Sequence, residues 1–369
     1  MKVLIVWGQC LGLNPVTGIL QNDVSKMRFT VRSWKFLFSI TLGIVQIIGT
    51  GLSLYRLVRG SVSITSLAFL TFFVTTCCTI FAFMRIATKW PTVMKELLDS
   101  KLDEYIDPTI IKKCNIACIS LIGMAVIKVA KVLDCSGNVT DYGEEYMKMS
   151  SPWFFEMNVP YVQALGILIQ YVTVTATATW NYPDVFLVCM SLYLTSIFKQ
   201  INKKIALVVN KNYMPTSIWG VLREDYTRAT RLVRLFDDVF SSIILVTFSS
   251  DLFFICLQLY NIFCPAYPSS MLRGYEYPIY LSYSTLYLFA RFLTVSLVAA
   301  GVNTASMEPA PLLYGIPTSV ERFLNQVNDD VVALSGMRFF YITRELVLSV
   351  AGTIVTYELV LLQFGGDLM

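Results

Sequence analysis

Apolar residues in this chain gather in long runs rather than alternating. Runs at Trp34–Leu57, Ile64–Ala87, Lys112–Leu133, Val159–Phe198, Val239–Phe263, Pro278–Val302 and Phe339–Phe364 each approach or exceed 20 residues. A helix of about 20 apolar residues crosses a hydrocarbon core of roughly 30 Å. The pattern therefore predicts an all-α, polytopic membrane protein with seven spanning helices. The fourth run is far longer than one crossing needs, and it should continue as helix through IFKQINKKIALVVNK into water. Before the last run lies the more polar TSVERFLNQVNDDVVALSGMRFF, where Val320, Phe323, Leu324, Val327, Val331 and Leu334 recur at three and four. That spacing predicts an amphipathic helix packed by one face. The resulting division is 1–33 as an N-terminal segment, 34–302 as helices one to six, 303–338 as a polar anchor region, and 339–369 as helix seven with a short tail.

Composition agrees with this reading: hydrophobic residues make up 55% of the chain, charged ones 15%, and mean hydropathy is +0.61. Lysine and arginine set the orientation. With the N-terminus inside, the inner segments collect Lys2, Lys26, Arg28, Arg32, Lys35, Arg85, Lys89, Lys95, Lys101, Lys112 and Lys113. They also hold Lys199, Lys203, Lys204, Lys211, Arg223, Arg228, Arg231, Arg234, Arg322, Arg338 and Arg344, whereas the outer segments hold Arg56, Arg59, Lys148 and Arg273. Positive charge stays on the cytoplasmic side, so the N-terminus is expected inside and the C-terminus outside. Asn138-Val139-Thr140, a glycosylation acceptor at Asn138, then falls in an outer loop whose acidic residues are Asp134, Asp141, Glu144 and Glu145. The first 20 residues lack a small-residue cleavage site and are interrupted by Pro15. They read as an intracellular segment lying against the bundle rather than as a cleaved leader. Cys135 and Cys264 sit near predicted outer helix ends, where they are either bridged or free.

Several function classes fall away. The chain has no histidine, which removes Ser-His-Asp and Cys-His nucleophiles and His-ligated metals. It has no Walker loop, dinucleotide glycine pattern or paired CxxC, so neither enzyme nor cofactor is indicated, and nothing points to nucleic acid. A small-solute transporter would be expected to echo itself in two halves, and the runs differ in length and polarity. A G-protein-coupled receptor needs an external N-terminus, which the charge bias opposes.

Polar residues inside the runs are the candidate chemistry. Span four offers Trp180, Asn181 and Asp184 around Pro183, which frees the carbonyl of Thr179 from its helix donor. An aromatic face beside amide and carboxylate groups suits a ring bearing several hydroxyls, and it equally suits a proline kink satisfied by local amides. Span five adds Asp251 and Gln258, seven apart and on one face; Arg291 in span six lies at a similar depth. A lone carboxylate there is costly, so Asp251 either meets ligand or pairs with Arg291. Glu156, with Gln163 and Gln170, could line the entrance from outside. In the last run, Thr356, Val360 and Gln363 share a face. Such a face suits a pore lining, or a last helix packed on its neighbours.

That run ends in TYELVLLQF, which resembles the Thr-Tyr-(five residues)-Gln-Phe signature of insect gustatory receptors. GQCLGLNPVTGI, TWNYPDVFLVCMSLYLTSIFKQIN and FFYITRELVLSVAGTIVTYELVLLQF resemble the sugar-sensing branch, so the likeness covers essentially the whole chain. The resemblance implies a tetrameric, ligand-gated, poorly selective cation channel related in fold to insect odorant receptors. It implies helices one to six holding ligand, seventh helices lining one central pore, and the anchor region making the main subunit contact. Its partners would be a sugar, monovalent and divalent cations, membrane lipid, and either identical or related subunits. Its place would be the plasma membrane of a sensory dendrite. Under that reading Gln363 forms an amide ring, Leu359 and Val360 close the pore one turn below by dewetting, and Phe364 plugs it. An odorant or bitter receptor of the same superfamily is the alternative. The N-terminal segment is shorter than the branch pattern, as a missing exon would leave it.

Overall fold

The computed structural model describes residues 2–19, 21, 26–59, 64–133, 163–210, 216–263, 276–314 and 320–365. Among the described residues the fold is all-α apart from two tiny hairpins. In chain order the elements are α1 (Lys2–Cys10), β1 (Val16–Thr17), β2 (Arg28–Phe29), α2 (Trp34–Arg59), α3 (Ile64–Asp99), α4 (Ile110–Leu133), α5 (Gln163–Asn210) and α6 (Thr216–Phe263). They continue with α7 (Glu276–Met307), α8 (Ala310–Leu313), α9 (Glu321–Asp329), β3 (Ser335–Gly336), β4 (Phe340–Tyr341) and α10 (Arg344–Gly365). By length and composition, α2, α3, α5, α6 and α7 are long and apolar enough to cross a membrane. The predicted third and seventh spans fall on α4 and α10.

The expectation that the fourth span overshoots its crossing holds. α5 runs 48 residues without a break, through Pro183, to Asn210. At 1.5 Å per residue that is about 72 Å, more than twice a bilayer core. α6 is equally long at 48 residues, starting well before the predicted Val239. The residues preceding that position, including Arg223 to Asp238, are therefore helical stalk rather than loop.

α5 is the central post, packing on α7, α6, α4 and α3. Of these, α3 in turn pairs with α2. Lipid-embedded helices gain little from a hydrophobic effect between them, so close packing must hold the post in place. An aromatic cluster supplies that contact. Phe186 sits 5.3 Å from Phe83, 5.1 Å from Phe240 and 6.2 Å from Trp90, mostly edge-on, and all four rings are fully buried. Edge-to-face pairs at such distances contribute about 0.5–1.5 kcal/mol beyond area.

The N-terminal segment lies against the bundle as expected, and goes deep. Leu4, Ile5, Leu13 and Val16 are buried, and the Tyr182 hydroxyl on α5 donates to the Leu4 carbonyl at 3.1 Å. Gly8 is the contact point, since a Cβ there would run into the Tyr182 ring. Gln9 holds the following turn by donating to the carbonyls of Asn14 (3.2 Å) and Val16 (2.7 Å), while Lys35 donates to its Oε1 at 2.6 Å.

On the polar stalk, Tyr105 donates to Asp225 and lies under Lys204, whose Nζ is 4.0 Å from the ring centre. Burial, reinforced by the Asp225 carboxylate, pushes the Tyr105 hydroxyl above its usual range. The predicted anchor helix is present as α9. Val320, Phe323, Val327 and Leu334 are buried and Leu324 packs against the core. Removing Phe323 and Val327 from water contributes roughly 1.5–3 kcal/mol each. Val331 departs from the expectation. The helix ends at Asp329, the chain turns extended, and Val331 is 59% exposed.

The last helix also starts later than the predicted Phe339, because the chain first makes the β3–β4 hairpin, pairing Ser335 with Tyr341 and Gly336 with Phe340. Met337 and Arg338 in its turn have φ of 50° and 62°, left-handed values that non-glycine residues rarely adopt. Asp237 on α6 braces this turn. Its carboxylate accepts from the Ser335 backbone N–H (2.5 Å) and hydroxyl (2.9 Å). Burial pushes the Asp237 carboxyl upward, and the two Ser335 bonds pull it back. Thr343 then caps α10, its hydroxyl accepting from the Leu346 N–H at 3.3 Å.

Candidate functional site

Three helices each carry a polar seam. On α5 it is Thr177, Asn181 and Asp184, spaced four and three; on α7 it is Ser284, Tyr287 and Arg291, spaced three and four; on α6 it is Asp251 and Gln258. These spacings put each set on one helical face. The seams meet at Arg291, which is 1% exposed. Its Nε pairs with Asp184, its Nη2 with Asp251 at 3.0 Å, and its Nη1 donates to the Asn181 Oδ1 at 3.0 Å. Nη2 also donates to the Trp180 carbonyl at 3.2 Å, one residue beyond the Thr179 carbonyl that Pro183 leaves without its helix donor. The guanidinium carbon lies 4.0 Å from the centre of the Trp180 ring. Arginine suits this place because its planar fork serves several acceptors at once and stacks on an aromatic face.

Of the expected ligand residues, the structure brings Trp180, Asn181, Asp184, Asp251 and Gln258 into one neighbourhood. It uses both carboxylates on Arg291. The Asp251–Arg291 pair is thus present, and Asp184 joins it from a third helix. Asp184 and Asp251 are each 2% exposed, so these ion pairs are fully dehydrated. Asn181 is likewise occupied, donating to the Thr177 carbonyl at 2.8 Å and accepting from the Tyr287 hydroxyl at 2.7 Å. Trp180 packs edge-on against Phe72 of α3 (6.2 Å) and Phe254 of α6 (5.1 Å), and its Nε1 is buried without a hydrogen-bond partner. Gln258 donates to the Ser284 hydroxyl at 3.0 Å, leaving its Oε1 buried and unmatched. Apart from the atoms in the ion pairs, three buried polar atoms of this aromatic-walled cluster, Trp180 Nε1, Gln258 Oε1 and Asp184 Oδ1, therefore have no hydrogen-bond partner.

Sequence reasoning missed Tyr287 and Ser284. The signal was there in their spacing from Arg291, but hydroxyls in an apolar helix ordinarily bond their own backbone, as Thr173, Thr177 and Thr294 do here. Glu156, Asn138, Cys135 and Cys264 lie outside the described residues. On α10, Thr356 donates to the Gly352 carbonyl at 2.9 Å and is exposed, as is Val360 at 42%. The side chains of Leu359, Gln363 and Phe364 lie outside the described residues.

A family model described as the trehalose receptor matches residues 1–368. The chain belongs to the trehalose-receptor family. Among curated relatives of this chain, the Drosophila melanogaster gustatory receptor for sugar taste 64a is 30% identical, covering 96% of this chain and 82% of that one. The gustatory receptor 5a for trehalose, also from Drosophila melanogaster, is 30% identical over 97% of this chain and 83% of that one. The insect olfactory receptor OR5 of Machilis hrabei, solved with eugenol, superposes with a TM-score of 0.72. At 14% identity it covers 98% of this chain and 97% of that one. The receptor family and the insect olfactory-receptor fold are thus established, and the chain is a multi-pass membrane receptor rather than an enzyme.

Proposed function

We propose that this receptor is a sugar-gated, poorly selective cation channel, assembled from four subunits in the plasma membrane of a taste neuron's dendrite. The buried seam of Trp180, Asn181, Gln258 and Tyr287 around Arg291 is the observation that carries the sugar assignment. A hydroxyl-rich ligand is discriminated best where a missing hydroxyl leaves a buried polar group unmatched. Trp180 Nε1 and Gln258 Oε1 are groups of that kind. A pocket for a hydrophobic odorant would have no use for this density of amides and charges.

α10 supports the pore assignment. It buries Val347 and Ile354 against the bundle while Leu348, Val355, Tyr357 and Val360 stay exposed. A helix this loosely covered in one copy has surface to offer lipid, other copies and a water path. Gln363 sits one turn beyond Val360 along the same helix. An amide at that depth is stable facing water or its own copies rather than lipid.

Whole-cell recording from cells expressing this chain alone, across a panel of sugars, tests the proposal. Sugar-evoked, cation-carried current is expected; uptake of labelled sugar without current would instead make it a transporter. Within the channel reading, Gln363→Ala should alter leak or cation preference while the half-maximal sugar concentration stays within about twofold, since the change lies in the permeation path. Leu362→Ala, about 100° around the helix, should do much less. Wild-type conductance, selectivity and leak in Gln363→Ala would remove the pore from α10. An N-terminal epitope should stain only permeabilised cells and a C-terminal one intact cells. The opposite pattern would overturn the charge-based topology.

A further inference from the structure

We propose that Cys118 on α4 and Cys189 on α5 form an oxidisable dithiol that a peroxide converts into a tie between the two helices. Three cysteines converge here. Cys114 and Cys118, four apart, share one face of α4. Cys118 Sγ lies 3.7 Å from Cys189 Sγ, and Cys114 Sγ lies 4.0 Å from the Cys189 carbonyl oxygen. Small apolar filling accounts for a cysteine in a membrane helix, but it does not require two thiols on different helices to touch. Exposure separates their roles. Cys189 is buried at 7%, while Cys118 is partly exposed and can meet a small oxidant first. Immediately before Cys114, Lys113 is exposed and paired with Asp107 at 2.7 Å, which places this end of α4 at the water boundary.

The chemistry closes without further reagents. Peroxide oxygen transfers to the Cys118 sulfur, giving sulfenic acid and one water. The Cys189 thiol then attacks that sulfur, the S–O bond breaks, its proton leaves with the hydroxyl as a second water, and a disulfide remains. Forming the bond requires the sulfurs to close to about 2.05 Å, a movement of roughly 1.6 Å shared by two side chains and the helix interface. On the cytoplasmic side the resting state is the dithiol, since disulfides there are usually transient and redox-sensing. The tie would fix α5 five residues past Asp184, in the helix that carries Asn181 and Trp180.

The test treats the full-length receptor in membranes with hydrogen peroxide, blocks remaining thiols with N-ethylmaleimide, and maps peptides by mass spectrometry. A linked Cys118–Cys189 peptide pair, two hydrogens lighter than the sum and released by dithiothreitol, is expected. Cys118→Ser and Cys189→Ser should each abolish it, and Cys114→Ser should retain it. Cys189 remaining alkylatable after unfolding, or Cys189 linked to Cys114 instead, would overturn the assignment. Because the bond is read by mass, this result is independent of whether sugar opens a pore. Where sugar currents are recorded, peroxide should lower them in wild type, reversibly with dithiothreitol, and leave those of Cys118→Ser unchanged.

Discussion

Arg291→Met should remove the receptor from the cell surface. The substitution keeps most of the side chain's length but leaves Asp184 and Asp251 as two carboxylates, each 2% exposed, with no cation in ion-pair contact. Breaking a buried ion pair by deleting one partner costs roughly 3–5 kcal/mol, because the surviving charge stays dehydrated and uncompensated. Here two charges survive. The Asn181 and Trp180 oxygens also lose a donor each. Total stability of a folded domain is only about 5–15 kcal/mol, so this loss should be visible as retention and degradation.

The triple variant Arg291→Met, Asp184→Asn, Asp251→Asn separates charge from shape. Amides are isosteric with the carboxylates and carry no charge, so surface expression should recover in part. Recovery with a half-maximal sugar concentration raised tenfold or more, roughly 1.4 kcal/mol or more, would place the cluster against the ligand. Recovery with unchanged sugar response would make it a structural clamp. Normal surface levels for Arg291→Met alone would mean that the ion pairs do not bind the three helices together. The arithmetic of the cluster sharpens the point: fully ionised, two carboxylates and one guanidinium leave one net negative charge in a dehydrated core.

Much of this architecture could be read from the chain because the membrane imposes it. Backbone groups in lipid must be satisfied within the helix, so an apolar run such as Ile64–Ala87 has few alternatives. The overshoot of α5 was visible in the basic and amphipathic stretch that follows Phe198. The Asp251–Arg291 pairing could be weighed in advance because both sit at similar depth in neighbouring runs. Asp184 was harder, since nothing in the sequence tells which way a third helix turns its carboxylate once Pro183 interrupts the bonding pattern. Val331 and the hairpin were missed for a different reason. Helical spacing continues through Leu334, but a carboxylate a hundred residues away, on α6, stabilises a turn that local propensity disfavours. Met337 and Arg338 carry no signal for positive φ, and the Asp237 brace on Ser335 that supports their turn comes from a distant helix. The docking of Gly8 on Tyr182 is equally non-local, joining positions 174 residues apart.

Two neighbouring aspartates on α6 should behave very differently when neutralised by alanine, and the difference measures how the hairpin is held. Asp238 pairs with Arg338 at 3.0 Å, but the side chains are 58% and 73% exposed. Exposed pairs contribute about 0–1 kcal/mol, so Asp238→Ala should leave thermal stability in detergent nearly unchanged. Asp237 is 9% exposed and satisfies the N–H and hydroxyl of Ser335, which is fully buried. Its loss strands both donors, at roughly 1–3 kcal/mol. It also withdraws support from two left-handed residues, each strained by about 1–2 kcal/mol. Asp237→Ala should therefore lower the unfolding midpoint of the solubilised receptor by several degrees, with Asp237→Asn between it and wild type because an amide oxygen can still accept from Ser335. Phe340 of the same hairpin packs 5.5 Å from Phe248 of α6, which in turn lies 5.7 Å from Phe292 beside Arg291. Loosening the hairpin thus disturbs a contact chain that runs from the polar cluster to the start of α10. Under the channel reading, Asp237→Ala should also weaken the response to sugar more than its loss of surface receptor explains. Equal thermal midpoints for Asp237→Ala and Asp238→Ala would show that the brace contributes nothing, and that the turn is held without it, through the strand pairing of Ser335 with Tyr341 and Gly336 with Phe340.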